Sequence, residues 1–222
     1  MNSNVVRACA LSAVVRAYAL SAALIGWSFT AGLDRPWRRH PVTQAAAGTA
    51  LALAARAPLG LHPAGLRSGL RHGGTAAAAV TAAVAAATAV PQVRAAMAAR
   101  SMPDRPGRWL GIEIPLGTVW SEETAFRGAL ASLAAQAFGV NGGRALQALT
   151  FGVTHISDAR STGEPLVGTV AVTAAAGWVF AVLAERSGSL LAPMLAHLAV
   201  NEAGAVAALA VQRFARPPGS DR

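Results

Sequence analysis

Three short blocks in the C-terminal half of the chain hold ionisable groups within or against apolar sequence. They read Glu122-Glu123-Thr-Ala-Phe-Arg127, Phe151-Gly-Val-Thr-His155 and His197-Leu-Ala-Val-Asn201. A carboxylate, guanidinium or imidazole left unpaired among Ala, Val and Leu carries a large desolvation penalty. Two carboxylates, an arginine, two histidines and an asparagine retained there form a set with chemical capacity: a base, two imidazoles and an amide donor.

Helical spacing divides the work. Residues four apart share a face, so Glu123 can pair with Arg127, and His197 can act beside Asn201. Glu122 lies about 100° round the helix from Glu123. Two carboxylates so close resist double ionisation, which suits one of them to proton transfer near neutral pH. Glu123 then reads as held by Arg127, and Glu122 as free to act. A water between Glu122 and an imidazole could attack a carbonyl carbon, with the second imidazole and the amide stabilising the oxyanion. Each block also has a plainer reading. The Glu-Glu pair suits the first turn of an interfacial helix. His155 alone reads as a satisfied core histidine. A His–Asn pair can join two membrane helices.

The elements that must position these groups are apolar helices. Of 222 residues, 54% are hydrophobic and 13% are charged, about half the charged fraction of an ordinary soluble domain. That composition, with its long apolar runs, specifies an all-α, polytopic membrane helix bundle of about seven transmembrane helices. All 19 basic residues are Arg, and the net charge is +9. The arginines are scattered between apolar segments, which fits juxtamembrane anchoring and excludes a nucleic-acid-binding stripe. Cys9 is the only cysteine, so neither a disulfide framework nor a thiolate metal cluster is available.

Along the chain, apolar segments are expected over 8–33, 42–58, 75–97, 165–183 and 190–211. The first is a retained membrane helix, with a cleaved signal peptide as the alternative. Loops are expected at 34–41, at the Gly- and Pro-bearing 58–74 and at 157–164. Pro91 reads as a kink within the third span. Pro115 reads as a separator between an amphipathic stretch and the helix bearing the first block. A turn is expected at 138–143. Trp120 and Trp178 read as interface anchors or packing, with cavity lining as the alternative. Polar residues 98–108 mark an internal boundary. The organisation is therefore 1–108, N-terminal transmembrane helices and loops; 109–211, a helical core carrying the blocks; and 212–222, a basic disordered tail.

In order and spacing, Glu-Glu-x-x-x-Arg, Phe-x-x-x-His and His-x-x-x-Asn resemble the CPBP intramembrane proteases, which include the Ras-converting CAAX endopeptidases and the bacterial Abi proteins. The resemblance covers roughly residues 109–211. It implies an intramembrane endopeptidase that hydrolyses a peptide bond of a membrane-associated peptide or protein. It further implies Glu122 as general base, His155 helping to activate water, His197 and Asn201 holding the oxyanion, and Glu123 and Arg127 shaping the site. No cofactor is required on this reading. A zinc site on His155, His197 and Glu122 is the alternative, although no His-Glu-x-x-His motif is present. The expected partners are the lipid bilayer and the substrate, without nucleic acid, and the expected location is a bacterial inner membrane, multi-pass. A non-catalytic partner-binding or bacteriocin-immunity protein of the same fold is the competing function. A small transporter or proton relay is a third, against which stands the absence of an inverted repeat.

Overall fold

The structure, a computed structural model, describes residues 3–30 and 36–215. It is all-helical among these residues. The elements are α1 (Ser3–Phe29), α2 (Pro41–Ala54), α3 (Pro63–Thr88), α4 (Pro91–Ala99), α5 (Pro106–Arg108), α6 (Ala131–Thr154), α7 (Ile156–Thr162), α8 (Leu166–Ser187) and α9 (Leu191–Ala215). Between α5 and α6 the chain stays helical but winds in wider, i→i+5 turns over Trp109–Trp120 and Glu123–Leu130.

Local sequence explains most boundaries. Proline opens α2, α3, α4 and α5, where its missing N–H costs nothing and its fixed φ is already helical. His62 caps α3 by accepting a hydrogen bond from the Gly65 amide at 3.2 Å. Gly163 and Gly188 end α7 and α8 in the left-handed conformation, at φ 74° and 64°, where a Cβ would be strained. Gly139, at φ 71°, breaks α6 at the expected turn.

Several expectations are corrected. The segment 58–74 is not a loop throughout, because α3 begins at Pro63. Three of its glycines, Gly65, Gly69 and Gly73, lie four apart and are buried. Gly69 and Gly73 let α3 approach the start of α9, with a Cβ on Gly73 falling 2.7 Å from the Ala192 backbone, while Gly65 lies against the Gly60 backbone. Pro91 marks a sharp bend between two helices. It starts α4, which leaves α3 at 96°. Pro115 separates nothing, for it lies inside the wide helix. Regular α winding would drive its ring into the carbonyl four residues back, and the wider turns relieve that clash. Residues 156–162 form α7, closed by Gly163, where a loop was expected. Helix α9 continues through Ala215, so the tail expected from residue 212 starts helical. The rest of the tail, the Cys9 side chain, and residues 31–35, which end the first apolar segment and open the first expected loop, lie outside the described residues.

Polarity is distributed inside out, as a lipid environment requires. Glu123, Arg127, Gln147, Thr150 and His197 are buried, whereas Leu11, Leu53, Leu149, Val167 and Val172 stand outward and more than half exposed. The protein is a polytopic membrane protein. By length and composition, Leu11–Phe29, Leu166–Ser187 and Leu191–Phe214 can each cross a bilayer, and α3 with α4 adds a fourth if the bent pair counts as one. These described helices are fewer than the expected seven; α2 is too short for that criterion. Helix α3 packs along α9, α6 along α8 and α1 along α6, while α2 lies against both wide segments.

Candidate active site

The first block occupies the junction of the two wide helical segments. Ser121 and Glu122 take regular winding there, and Glu123 opens the second wide segment. The two carboxylates meet different surroundings. Glu123 is fully buried and accepts from Arg127 Nη1 at 3.1 Å, both side chains being inaccessible. Glu122 keeps 29% of its side chain exposed and lines a cavity of about 660 Å³.

The third block reaches the same place from α9. His197 Nδ1 lies 2.7 Å from Glu123 Oε1. With Glu123 ionised against Arg127, the shared hydrogen belongs to Nδ1, which donates it. The opposite ring nitrogen, Nε2, faces Glu122 Oε2 at 3.7 Å, beyond direct hydrogen-bond reach. His197 thus bridges the two glutamates. In its imidazolium form the four groups Glu122, Glu123, Arg127 and His197 would carry no net charge, the arrangement that makes burial affordable. Asn201, one turn on, donates to the His197 carbonyl at 3.1 Å.

The second block closes the cluster. His155 caps α6, and its Nδ1 lies 2.8 Å from the Phe151 carbonyl, which fixes that nitrogen as a donor and leaves Nε2 for other contacts. His155 lines the cavity together with Glu122. Phe151 packs edge-on against His155 at 4.7 Å, while the Arg127 guanidinium lies 4.2 Å from its ring centroid. Phe180 of α8 stacks on His197 at 5.0 Å and also meets Arg127, at 5.0 Å. The two phenylalanines form an apolar wall around charged groups, which strengthens each electrostatic contact by excluding water.

Five of the six singled-out residues therefore meet in two compartments, while the Asn201 amide is held on the His197 carbonyl of its own helix. Glu122 and His155 face the cavity. Glu123, Arg127 and His197 form a buried cluster behind Glu122, and neither His197 nor Asn201 is among the cavity-lining residues. Among the described residues no group of three or more His, Cys, Asp or Glu is placed to hold a metal ion, so His155, His197 and Glu122 are not gathered as a ligand set.

Sequence reasoning missed the contribution of the N-terminal helices. Leu20, Leu24, Trp27 and Ser28 of α1, and Gln44, Ala47, Gly48 and Leu51 of α2, form one side of the cavity. Gln44, an amide in an apolar helix, was the legible signal. Phe180 carried none, being one more aromatic in an apolar span. Trp120 does not line the cavity but donates its indole N–H to Thr49 Oγ1 at 2.8 Å. Trp178 lies under Arg144, 4.9 Å from ring centroid to guanidinium carbon, and Arg144 pairs with Glu185.

The fold and site define a helical membrane protein with a carboxylate-and-imidazole centre open to an internal cavity. Comparison with known families agrees with that class. Residues 105–203, which hold all three blocks, match the family model described as type II CAAX prenyl endopeptidase Rce1-like. No curated protein and no solved structure matches the chain at a significant level.

Proposed function

We propose that the protein is an endopeptidase that hydrolyses a peptide bond of a membrane-associated peptide or protein, using water activated by Glu122. The observation that carries this reading is the division of labour between the glutamates. Glu123 is fixed by Arg127 and His197, while Glu122 reaches a cavity large enough for a peptide segment, beside His155. In the proposed reaction a cavity water lies between Glu122 and His155. Glu122 takes a proton as the water oxygen bonds to the carbonyl carbon. The tetrahedral oxyanion is held by Asn201 and by His197 in its imidazolium form, whose Nε2 then carries a hydrogen to donate. Glu122 then returns the proton to the leaving nitrogen as the C–N bond breaks. His197 Nε2 already faces Glu122 across 3.7 Å. Asn201 commits one of its two amide hydrogens to the His197 carbonyl and keeps the other for an oxyanion. The proposed setting is the inner membrane of a bacterium, and no metal takes part.

A non-catalytic partner-binding role gives the cavity-facing Glu122 no task, although leaving a carboxylate there costs desolvation. The deciding measurement is cleavage of a membrane-peptide library by the wild-type protein and by Glu122→Gln. The amide keeps the shape but cannot accept water's proton, so turnover should vanish while expression and membrane insertion persist. Activity of the variant within about threefold of wild type would remove Glu122 from the base role, since loss of a general base ordinarily costs about 10²–10⁴ in rate.

A further inference from the structure

The matched family segment begins at residue 105, yet the turn bearing Glu122 is gripped by a helix that precedes it. Trp120, two residues before Glu122, donates its indole N–H to Thr49 Oγ1 of α2 at 2.8 Å. Thr49 is itself committed, for its hydroxyl donates to the Ala45 carbonyl at 2.7 Å. Its lone pairs therefore face the indole in one orientation. Thr124, two residues after Glu122, donates to the Trp120 carbonyl at 2.7 Å and to the Ser121 carbonyl at 3.1 Å. Gly48 of α2 abuts this same turn, and a Cβ there would strike Thr124 Oγ1 and the Ser121 carbonyl. The contacts thus fall on both flanks of Glu122, at residues 120–121 and 124.

From this we infer that Gly48 and Thr49 of α2 are positioning residues for Glu122. The hydroxyl of Thr49 fixes the Trp120 side, and the bare Gly48 backbone admits the Ser121–Thr124 side. Together they set the direction in which the Glu122 carboxylate enters the cavity. The cavity wall and the base are then assembled by one helix, because Gln44, Ala47, Gly48 and Leu51 also line that cavity. The turn needs such external support. It joins two wide helical segments, and wide turns are the less favourable winding. This inference rests on the base role of Glu122.

The test uses the full-length protein in detergent or reconstituted vesicles, with a quenched fluorescent peptide that the wild type cleaves. Thr49→Val keeps the side-chain shape and removes the acceptor. It should lower kcat by about 10- to 100-fold, the cost of a small displacement of a reacting group, with KM within about twofold and the thermal transition retained. Thr49→Ser restores the acceptor and should recover most of kcat. Gly48→Ala should also lower kcat. If Thr49→Val keeps kcat within twofold of wild type while Glu122→Gln is inactive, the clamp is overturned and the base role stands. A Thr49→Val variant that loses kcat and thermal stability together, without rescue by Thr49→Ser, also overturns it, in favour of a merely structural contact. An active Glu122→Gln protein removes the base itself, and the clamp has then nothing to position.

Discussion

At the scale of single residues, the site turns on how each charge is matched. Glu123 carries two partners, Arg127 at 3.1 Å and His197 at 2.7 Å, all three in the interior. Arg127→Ala leaves Glu123 with only the imidazole. Breaking one side of a buried pair costs about 3–5 kcal/mol, and the remaining His197 contact should hold the loss near the lower end. The expected outcome is a clearly lower melting temperature in detergent, together with reduced turnover. A double change, Glu123→Gln with Arg127→Met, should regain part of that stability, because it removes the uncompensated charge as well as the pair. An unchanged melting temperature for Arg127→Ala would contradict the burial of the pair. Glu122 is governed by different physics. It has the cavity on one side and His197 Nε2 on the other, so its substitution should tell on turnover and little on folding.

Among the helices, the bundle depends on places where backbones touch. Helix α9 carries His197, and α3 sets where the start of α9 lies. A Cβ on Gly73 would fall 2.7 Å from both the Cα and the carbonyl oxygen of Ala192, and one on Gly69 would fall 2.9 Å from Leu191 Cβ and Ser189 Oγ. Backbone atoms cannot turn aside as a flexible side chain does, so Gly73→Val should push α3 away from α9, lower the melting temperature and weaken turnover through His197. The neighbouring Gly74 meets nothing within 4 Å. Gly74→Ala should be neutral or stabilising, by up to about 1 kcal/mol from helix propensity alone. Equal effects of the two substitutions, measured by thermal unfolding in the same detergent, would show that α3 and α9 do not meet along this stripe. The same close approach recurs where Gly177 of α8 meets Phe151 and Ala148 of α6, and there it seats the phenylalanine against His155 and Arg127.

For the molecule as a whole, the candidate centre is enclosed by helices from both ends of the chain. The buried cluster comes from the first wide-helix junction and α9, the wall from α6 and α8, and the cavity from α1 and α2. Both histidines use Nδ1 on protein partners, His155 on the Phe151 carbonyl and His197 on Glu123. Recruiting Glu123 to a metal would break its pairing with Arg127, and recruiting Glu122 would remove the proposed base. The expected behaviour is that activity survives exhaustive chelation and that elemental analysis of the purified protein finds zinc well below one per chain. Activity lost on chelation and restored by added zinc would make the histidines ligands and overturn the metal-free proposal.

The sequence alone determined the helical membrane class and the three blocks from which the candidate site is drawn. Apolar runs, low charge and proline and glycine punctuation are local properties, written residue by residue, and so are i to i+4 pairs such as Glu123 with Arg127. Only the tertiary structure decided what those properties build. The glycines of 60–74 read as a loop because glycine breaks isolated helices. Against α9, Gly69 and Gly73 are helical, because contact with a neighbouring backbone outweighs propensity. Pro115 read as a break because regular winding forbids it, and wider turns admit it. The sequence placed Glu122 and Glu123 side by side but could not say which is enclosed. Their separation arises from contacts distant in the chain: His197 with Glu123, Phe180 with His197, and α2 against Trp120 and Thr124. Such contacts leave no spacing pattern in the sequence, and they decide which carboxylate is a buried support and which faces the cavity.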